Sequence, residues 1–386
     1  MAVAVEDATE LLPRLERGAA ECVGRFARDV DREGRFPSEA IGWLKSEGLL
    51  GANVPRPLGG LGLSVGEVVD ICRLLASHCS ATAMTFAMHC IQVACLARHA
   101  HSSAYLTDFL RRTARDQLLI ASVTSEAGVG GDLRRSIAAI EPCGAARHVA
   151  KQASTMSYGR FADAYLLIAR RAPDAEESDQ ALALITREQA TLERTGEWDA
   201  LGMRGTCSEA FRIEATFPAE AVLPEPFAAI AERTMVSISH ILWSACWLGI
   251  AQEAFRRARD FSRAAAAGGG LSELTLARLA EMAGTLEGAL LCLRSVADWY
   301  EQRPVDADQT LGEAVRVNNL KLTASEAAQQ VVLEALAVVG MAGYSEASKF
   351  SVARLLRDVV SSRLMIGNDR IKRTNGSALL AVHNLF

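Results

Sequence analysis

The sequence predicts an α+β protein, mostly α. It is read as an N-terminal α-helical domain (1–117), a middle antiparallel β-barrel-like domain (118–226) and a C-terminal four-helix bundle (227–386). Three observations predict this. Apolar residues recur at helical spacing over roughly the first 115 positions. From about 118 to 225 the pattern becomes short apolar or alternating runs between turn residues. Beyond 227 the chain returns to long segments, each with an apolar stripe. The order helices, strands, bundle is informative by itself, because few folds have it.

Taken in order, "TELLPRLERGAAECVGRFARDV" is helically periodic, and "DREGRFPSEAIGWLKSEGLLG" breaks and restarts, with Ser38 a candidate N-cap after Pro37. Two helices follow the glycine-rich "PRPLGGLGLS", and the second, "SATAMTFAMHCIQVACLARHA", is almost wholly apolar. "AYLLIARR", "ALALITR" and "AFRIEATFP" read as strands. No helical pattern of comparable length alternates with them, which argues against a βαβ sheet. Four helical segments then begin at "RTMVSISHILW", "SELTLARLAEM", "GEAVRVNNLKL" and "SEASKFSVARL", with "RAAAAGGG" as a flexible loop after the first.

Half the residues are apolar and 23% are charged, with a net charge of -5. That balance gives no reason to expect nucleic acid or an anionic membrane as partner. Nine cysteines occur without a CxxC pair and mostly in apolar runs, as buried reduced thiols of a cytoplasmic protein would. The first residues lack the basic region of a signal peptide. The run "ISHILWSACWLGIA" is too short to span a bilayer and reads as a core helix. No His, Cys and Asp cluster has metal-ligand spacing, and "GVGGD" is not followed by the Gly-Lys-Ser/Thr of a phosphate-binding loop. In "DLRRS", Arg134 or Arg135 could meet a CoA or carrier-protein phosphate, though a solvated charge pair is the plainer reading.

Four stretches fall in register with one family. "DREGRFPSEAIGWLKSEGLLGANVPRPLGGLGLS", "VTSEAGVGGD", "WDALGMRGTCSEAFRIEATFPAEAVLP" and "VVGMAGYSEASKFSVARLLRDVVSSRLMIGNDRI" together resemble the acyl-CoA dehydrogenase family over nearly the whole chain. The resemblance implies FAD held between the β-domain and the bundle, and a homo-dimer or homo-tetramer. It implies an acyl thioester on CoA or acyl carrier protein as substrate, and an electron-transfer partner. It places Ser122, Thr124, Ser125, Gly130 and Gly131 against the flavin and pyrophosphate, and Thr155, Met156 and Ser157 along the flavin ring. A flavin gains negative charge on reduction, so donors must face it. The resemblance further assigns Asn368 and Arg370 to the adenosine half and Gly340 to a backbone contact from a neighbouring subunit. The arginine that the family sends to a partner's FAD falls on Ala265, with Arg263 as a nearby substitute.

The departure that bears on chemistry is at the helix-ending corner Ile366-Gly367-Asn368. The family's glutamate base falls on Ile366, and isoleucine cannot accept a proton. An alternative base position, on the first bundle helix, falls on Ser239, followed by His240. Three readings stay open. One is an acyl-thioester dehydrogenase with a relocated base, His240 being the candidate. Another is a flavin monooxygenase on the same fold, supplied with reduced flavin by a separate reductase, with His89 and His240 near the flavin. The third is a redox-silent thioester-binding relative. Ile366, Gly367 and His89 are the expected substrate-pocket residues.

Overall fold

The computed structural model describes residues 8–382. Its first part is helical: α1 Ala8–Cys22, α2 Ala27–Glu33, α3 Ser38–Ser46, α4 Val65–His78, α5 Ser80–His99 and α6 Ala104–Asp116. Ser38 opens α3 without capping it, because Pro37 occupies the cap position. The clear cap is at α4, where the Ser64 hydroxyl and the Glu67 carboxylate satisfy each other's backbone N–H. α5 is buried at every residue from Ser80 to Leu96, which explains its lack of a polar face.

Seven strands follow: β1 Ile120–Val123, β2 Glu141–Cys143, β3 Ala146–Met156, β4 Ala164–Arg170, β5 Gln180–Thr186, β6 Ala190–Gly196 and β7 Glu209–Pro218. They form two sheets, ordered β1-β4-β5 and β2-β3-β7-β6. The pairings are antiparallel, as expected, except that β1 and β4 run parallel. β7 alternates buried and exposed residues, whereas β5 is buried throughout. The register of β3 against β7 slips between Ala153 and Met156, a bulge that re-aims the end of β3.

The last part opens with α7 Phe227–Ile230 and a π-helical turn, Ala231–Met235, that run into α8 Val236–Ala267. Then come α9 Glu273–Glu301, α10 Leu311–Val339, α11 Met341–Tyr344, α12 Ala353–Val360 and α13 Asn368–Leu379. The expected fourth bundle helix is shorter than its sequence pattern. Helix begins only at Ala353, gives way to a 3-10 turn at Ser361–Arg363, and stops at the corner before α13. The "ISHILWSACWLGIA" run is embedded in a helix of 41 residues, Phe227–Ala267, so its length does not exclude a membrane span. By length and composition this helix, Ser80–His99 and Leu311–Val339 could each cross a bilayer. In the first two, 89% of the most apolar window is buried inside the protein. The nine cysteines form no disulfide, and six are buried.

One junction ties all three parts together. Buried Asp358 on α12 accepts from the Met203 backbone N–H at 2.7 Å and lies 3.6 Å from Arg354. Its neighbour Arg357 pairs with Asp31 of α2, whose carbonyl accepts from Arg204 at 2.9 Å. Gly202 is required here, since a Cβ would stand 2.1 Å from the Arg357 carbonyl oxygen.

Candidate active site

Two cavities lie beside the corner between α12 and α13. The first, of about 360 Å³, lies between the end of β3, the 198–208 segment, α5 and the 361–365 turn. The second, of about 950 Å³, lies between the glycine-rich loop, the π turn and start of α8, α10 and α13. Leu364 and Met365 line the first, and the next residue, Ile366, lines the second.

The corner itself is strained. Ile366 has φ +53°, a left-handed conformation that a β-branched side chain adopts at a cost of about 1–2 kcal/mol. It is held by Lys321 of α10, which is fully buried. The Lys321 ammonium donates to the Ser362 carbonyl at 2.9 Å, the Ile366 carbonyl at 2.8 Å and Asn368 Oδ1 at 2.5 Å. Among the described residues no carboxylate pairs with it, and burial lowers its pKa to about 8. Tyr158, Met203 and Cys207 are also non-glycine residues with positive φ, and all three flank the first cavity's wall. Strain gathered at one place is a signature of a functional site.

The glycine-rich loop after β1 is fixed from both ends. Buried Glu126 accepts from the Ile137 and Ala138 backbone N–H groups and lies 3.6 Å from Lys151, itself buried in β3. Ser125 Oγ donates to the Thr155 carbonyl at 2.5 Å and accepts from the Thr155 N–H at 3.0 Å. Gly128, Gly130 and Gly131 have positive φ. Arg370 of α13 reaches across to donate to the Gly131 and Gly130 carbonyls at 2.5 and 2.8 Å. The loop and α13 thus close one side of the second cavity together.

At the bulged end of β3, Thr155 and Ser157 enter the wall of the first cavity. Ser157 Oγ is 2.7 Å from Ser208 Oγ, which is 2.8 Å from Thr206 Oγ1, which donates to the Met203 carbonyl at 2.8 Å. Trp198, Met203, Met84, Met88 and Met365 supply the apolar remainder. In the second cavity the buried titratable group is His240. Among the described residues neither ring nitrogen has a partner at full hydrogen-bond geometry, the Val317 backbone being the polar group that faces it. Burial and the nearby Lys321 charge lower its pKa to about 3, the facing Val317 backbone opposing only weakly, so the ring is neutral. The carboxylates of this cavity are engaged: Asp132 pairs with Arg134 at 3.2 Å, and exposed Glu232 accepts from the Gln309 N–H at 3.1 Å. A separate cleft of about 660 Å³ beside α1, α4 and α8 contains none of the expected site residues.

The structure brings together Thr155 and Ser157 in one cavity, and Gly131, His240, Ile366 and Arg370 in the other. Other expectations are corrected. His89 is not a pocket residue: it accepts from the Ile120 N–H at 3.1 Å through Nδ1, and Nε2 donates to the Leu50 carbonyl at 2.8 Å. It tethers α5 to β1 and lines neither cavity. Ser239 is not poised as a base or nucleophile, since its hydroxyl donates back to the Met235 carbonyl at 2.6 Å. Asn368 points inward to Lys321 and Ser325 and not to a ligand surface. Met156 is wholly buried. Ser122 and Thr124 are half-buried and contact each other at 3.4 Å, and Gly340 ends α10 at φ +63°. Neither they nor Gly367 line either cavity. Sequence reasoning missed Lys321, Trp198, Thr206 and Ser208. The last two lie in the quoted "RGTCSEA" stretch, where their hydroxyls were the only available signal.

Two family models cover most of the chain: acyl-CoA dehydrogenase, N-terminal domain, matches residues 6–117, and acyl-CoA dehydrogenase, C-terminal domain, matches 230–379. The chain belongs to the acyl-CoA dehydrogenase family. Within that family it is 28% identical to L-evernosamine nitrososynthase of Micromonospora sp., over 90% of this chain and 84% of the relative. It is 25% identical to cyclohexane-1-carbonyl-CoA dehydrogenase of Geobacter metallireducens, over 93% of each. Among solved structures, FMN-bound TdsC from Paenibacillus sp. superposes with a TM-score of 0.84 at 21% identity, over 97% of each chain. Butyryl-CoA dehydrogenase from Megasphaera elsdenii gives 0.83 at 20%, over 98% of each. KijD3 in complex with dTDP gives 0.84 at 20%, over 98% of each. These likenesses support a flavoenzyme of the oxidoreductase or oxygenase kind.

The residues of the first cavity fit a flavin ring. The tryptophan ring and the adaptable methionine side chains offer apolar contact, and a row of hydroxyls offers polar partners for a ring edge. Thr155 and Ser157 would line that edge, while Met365 and Leu364 would cover the opposite side.

Proposed function

We propose that this family member is a flavin-dependent monooxygenase that takes reduced flavin, FMN or FAD, from a separate reductase and oxygenates an amine bound in the second cavity. The observation that carries this is the chemistry of the corner. Ile366 stands where a dehydrogenase of this family needs its carboxylate, and His240 is too weak a base to replace it, with a pKa of about 3. Withdrawing the weakly acidic α-proton of a thioester calls for a matched base, and the cavity's two carboxylates, Asp132 and exposed Glu232, already bond to Arg134 and Gln309.

The same residues suit oxygenation. Reduced flavin in the first cavity would supply two electrons to dioxygen, one oxygen atom passing to substrate and the other leaving as water. Ile366 keeps the second cavity apolar next to the first and limits water there. Neutral His240 can accept a hydrogen bond from an amine N–H and leaves its lone pair free to react. Arg373, exposed at the second cavity, and Arg370 favour a substrate with an anionic part. The relatives named as nitrososynthases, and KijD3 with its bound dTDP, agree with an amino-sugar nucleotide.

The test supplies reduced FMN or FAD, a flavin reductase and oxygen enriched in the heavy isotope, with amino-sugar nucleotides as probes. Mass spectrometry should find one labelled oxygen in the product. The alternative, an acyl-thioester dehydrogenase, predicts anaerobic bleaching of bound flavin by saturated acyl-CoA and a large gain on Ile366→Glu, since a placed base contributes about 10²–10⁴ in rate. Bleaching by acyl-CoA with no label transfer would overturn the monooxygenase reading. We expect Ile366→Glu to remain inert toward acyl-CoA.

A further inference from the structure

A buried histidine stands behind the π turn that borders the second cavity. His99, at the end of α5, has its Nδ1 2.9 Å from Glu225 Oε1 and its Nε2 2.8 Å from Thr234 Oγ1. Burial lowers its pKa, helped by Arg98 and Arg233 and opposed by Glu225, so the ring is neutral near pH 7. A carboxylate can only accept, so Nδ1 carries the proton and Nε2 accepts from the Thr234 hydroxyl. Carboxylate, imidazole and hydroxyl stand in the order of a nucleophile relay. Thr234, however, is wholly buried and lines neither cavity, so the relay serves position and not attack.

What it positions is the outer edge of the π turn. Glu225 Oε2 accepts from Arg233 Nη1 at 3.1 Å, which leaves Arg233 Nε and Nη2 to donate to Asp308 at 3.1 and 2.7 Å. The Tyr300 hydroxyl fixes the Arg233 carbonyl, donating to it at 2.9 Å. Two more bonds join the same sides: the Gln309 N–H donates to Glu232 at 3.1 Å, and its side-chain amide donates to Ser237 at 3.1 Å. Glu232 and Gln309 both line the second cavity. The two sides are held differently. Thr234, Met235 and Ser237 are buried. The facing segment, 302–310 between α9 and α10, has no buried residue, and the Asp308 side chain is 80% exposed. Arg303 keeps that segment in its own shape, donating to the Ala307 and Asp308 carbonyls at 3.2 and 3.0 Å. What ties it to the π turn is polar, and exposed ion pairs are weak. A segment without a buried residue opens at little cost.

We infer that the 302–310 segment is a lid at the rim of the second cavity, latched to the π turn through Glu232, Arg233 and Ser237, with His99 and Glu225 as positioning residues for the latch. π turns are frequent at functional sites. A lid here admits a ligand and then keeps water from it. The latch rests on these contacts alone, and its closure over a nucleotide rests on the amino-sugar nucleotide reading of the cavity.

Amide hydrogen exchange on the full chain, read by mass spectrometry, tests this without turnover. In wild type, 302–310 should exchange faster than 231–240 by about tenfold or more. Asp308→Ala should speed 302–310 by about two- to fivefold and leave 231–240 unchanged, as loss of an exposed ion pair would. His99→Leu should speed both stretches, because it releases Glu225 and Thr234 together. His99→Asn keeps an N–H toward Glu225 and should return 302–310 to the wild-type rate. Asp308 is at the surface, so Asp308→Ala serves if His99→Leu folds poorly. Saturating dTDP, its binding followed by calorimetry, should slow 302–310 by about tenfold and 231–240 far less. Equal rates in the two stretches of wild type would overturn the proposal, as would a 302–310 segment indifferent to both Asp308→Ala and His99→Leu. Bound dTDP that leaves 302–310 unprotected would overturn the lid. If dTDP does not bind, the nucleotide reading of the cavity falls, and the two substitutions still decide the latch.

Discussion

Ile366 combines an unusual backbone with an unexpected side chain. A β-branched residue at φ +53° loses free energy that glycine there would not. Replacing Ile366 with Gly removes a half-buried side chain, yet relief of strain should offset that loss. The expected change in unfolding free energy is within about 1 kcal/mol of zero, where an ordinary half-buried Ile→Gly change is clearly destabilising. Chemical denaturation measures this, and a loss above about 3 kcal/mol would show that the corner is not strained. His240 gives a second residue-level outcome. Folded, it takes a proton only below about pH 3; unfolded, below the ordinary 6.5. Between those values the unfolded chain binds more protons, so stability is full above pH 6.5 and falls as pH drops toward 3. His89, with a pKa lowered to about 4 by burial, acts in the same direction. His240→Leu should flatten the decline in urea midpoint between pH 6.5 and 4 without abolishing it, because His89 remains. Identical slopes for variant and wild type would remove His240 from the acid response.

At the scale of elements, the corner between α12 and α13 depends on a lysine from a third helix. Lys321 donates to two interior carbonyls and to the Asn368 amide oxygen, which also lies 3.4 Å from the Ser325 hydroxyl. Lys321→Met keeps the length and drops all three bonds. The expected cost is roughly 3 kcal/mol, with faster amide exchange confined to residues around the corner. Uniformly faster exchange across the chain would assign Lys321 to general packing instead. The sequence shows why this element was hard to read in advance. The strands in "AYLLIARR" and "AFRIEATFP" announce themselves, because their signal is local: a short continuous apolar run in the first and alternation in the second. The turn after Ile366 is visible in Gly367 and Asn368. Lys321, however, lies 41 to 47 residues from its partners, inside a helix whose pattern explains it only as an amphipathic position. The positive φ of Ile366, Met203 and Cys207 likewise has no local signal, since none of the three is Gly or Asn. The family register pointed to the corner and to Ser157, and Ser157 lines the first cavity while Ile366 lines the second. It misplaced His89 and Asn368, because burial and partner choice decide which way a side chain turns, and spacing does not.

At the scale of the whole molecule, α10 is poorly covered for its composition. It is apolar enough to cross a membrane, yet 44% of its most apolar window is buried, against 89% in α5 and in the α7–α8 helix. Leu333 of α10 is 53% exposed, and Leu291 of neighbouring α9 is 65% exposed. Just beyond α10, Met341 and Tyr344 are more exposed still. Single exposed leucines are ordinary, but a long helix left half-covered beside others marks an interaction surface. We propose a second copy of this chain as the occupant, giving a homo-dimer or homo-tetramer, because the uncovered face continues the bundle's own helix packing. A lipid surface would instead favour a free basic rim, whereas here Lys372 and Arg278 are paired with Glu326 and Glu334 of α10. Light scattering after size exclusion should give a multiple of 41.4 kDa. Leu333→Glu combined with Leu291→Glu should shift the mass toward the monomer, because charges buried at an interface lose their hydration. Circular dichroism should stay unchanged, since both side chains already face outward. A monodisperse 41.4 kDa wild type would overturn the proposal, and an oligomer indifferent to both substitutions would move the interface to another face.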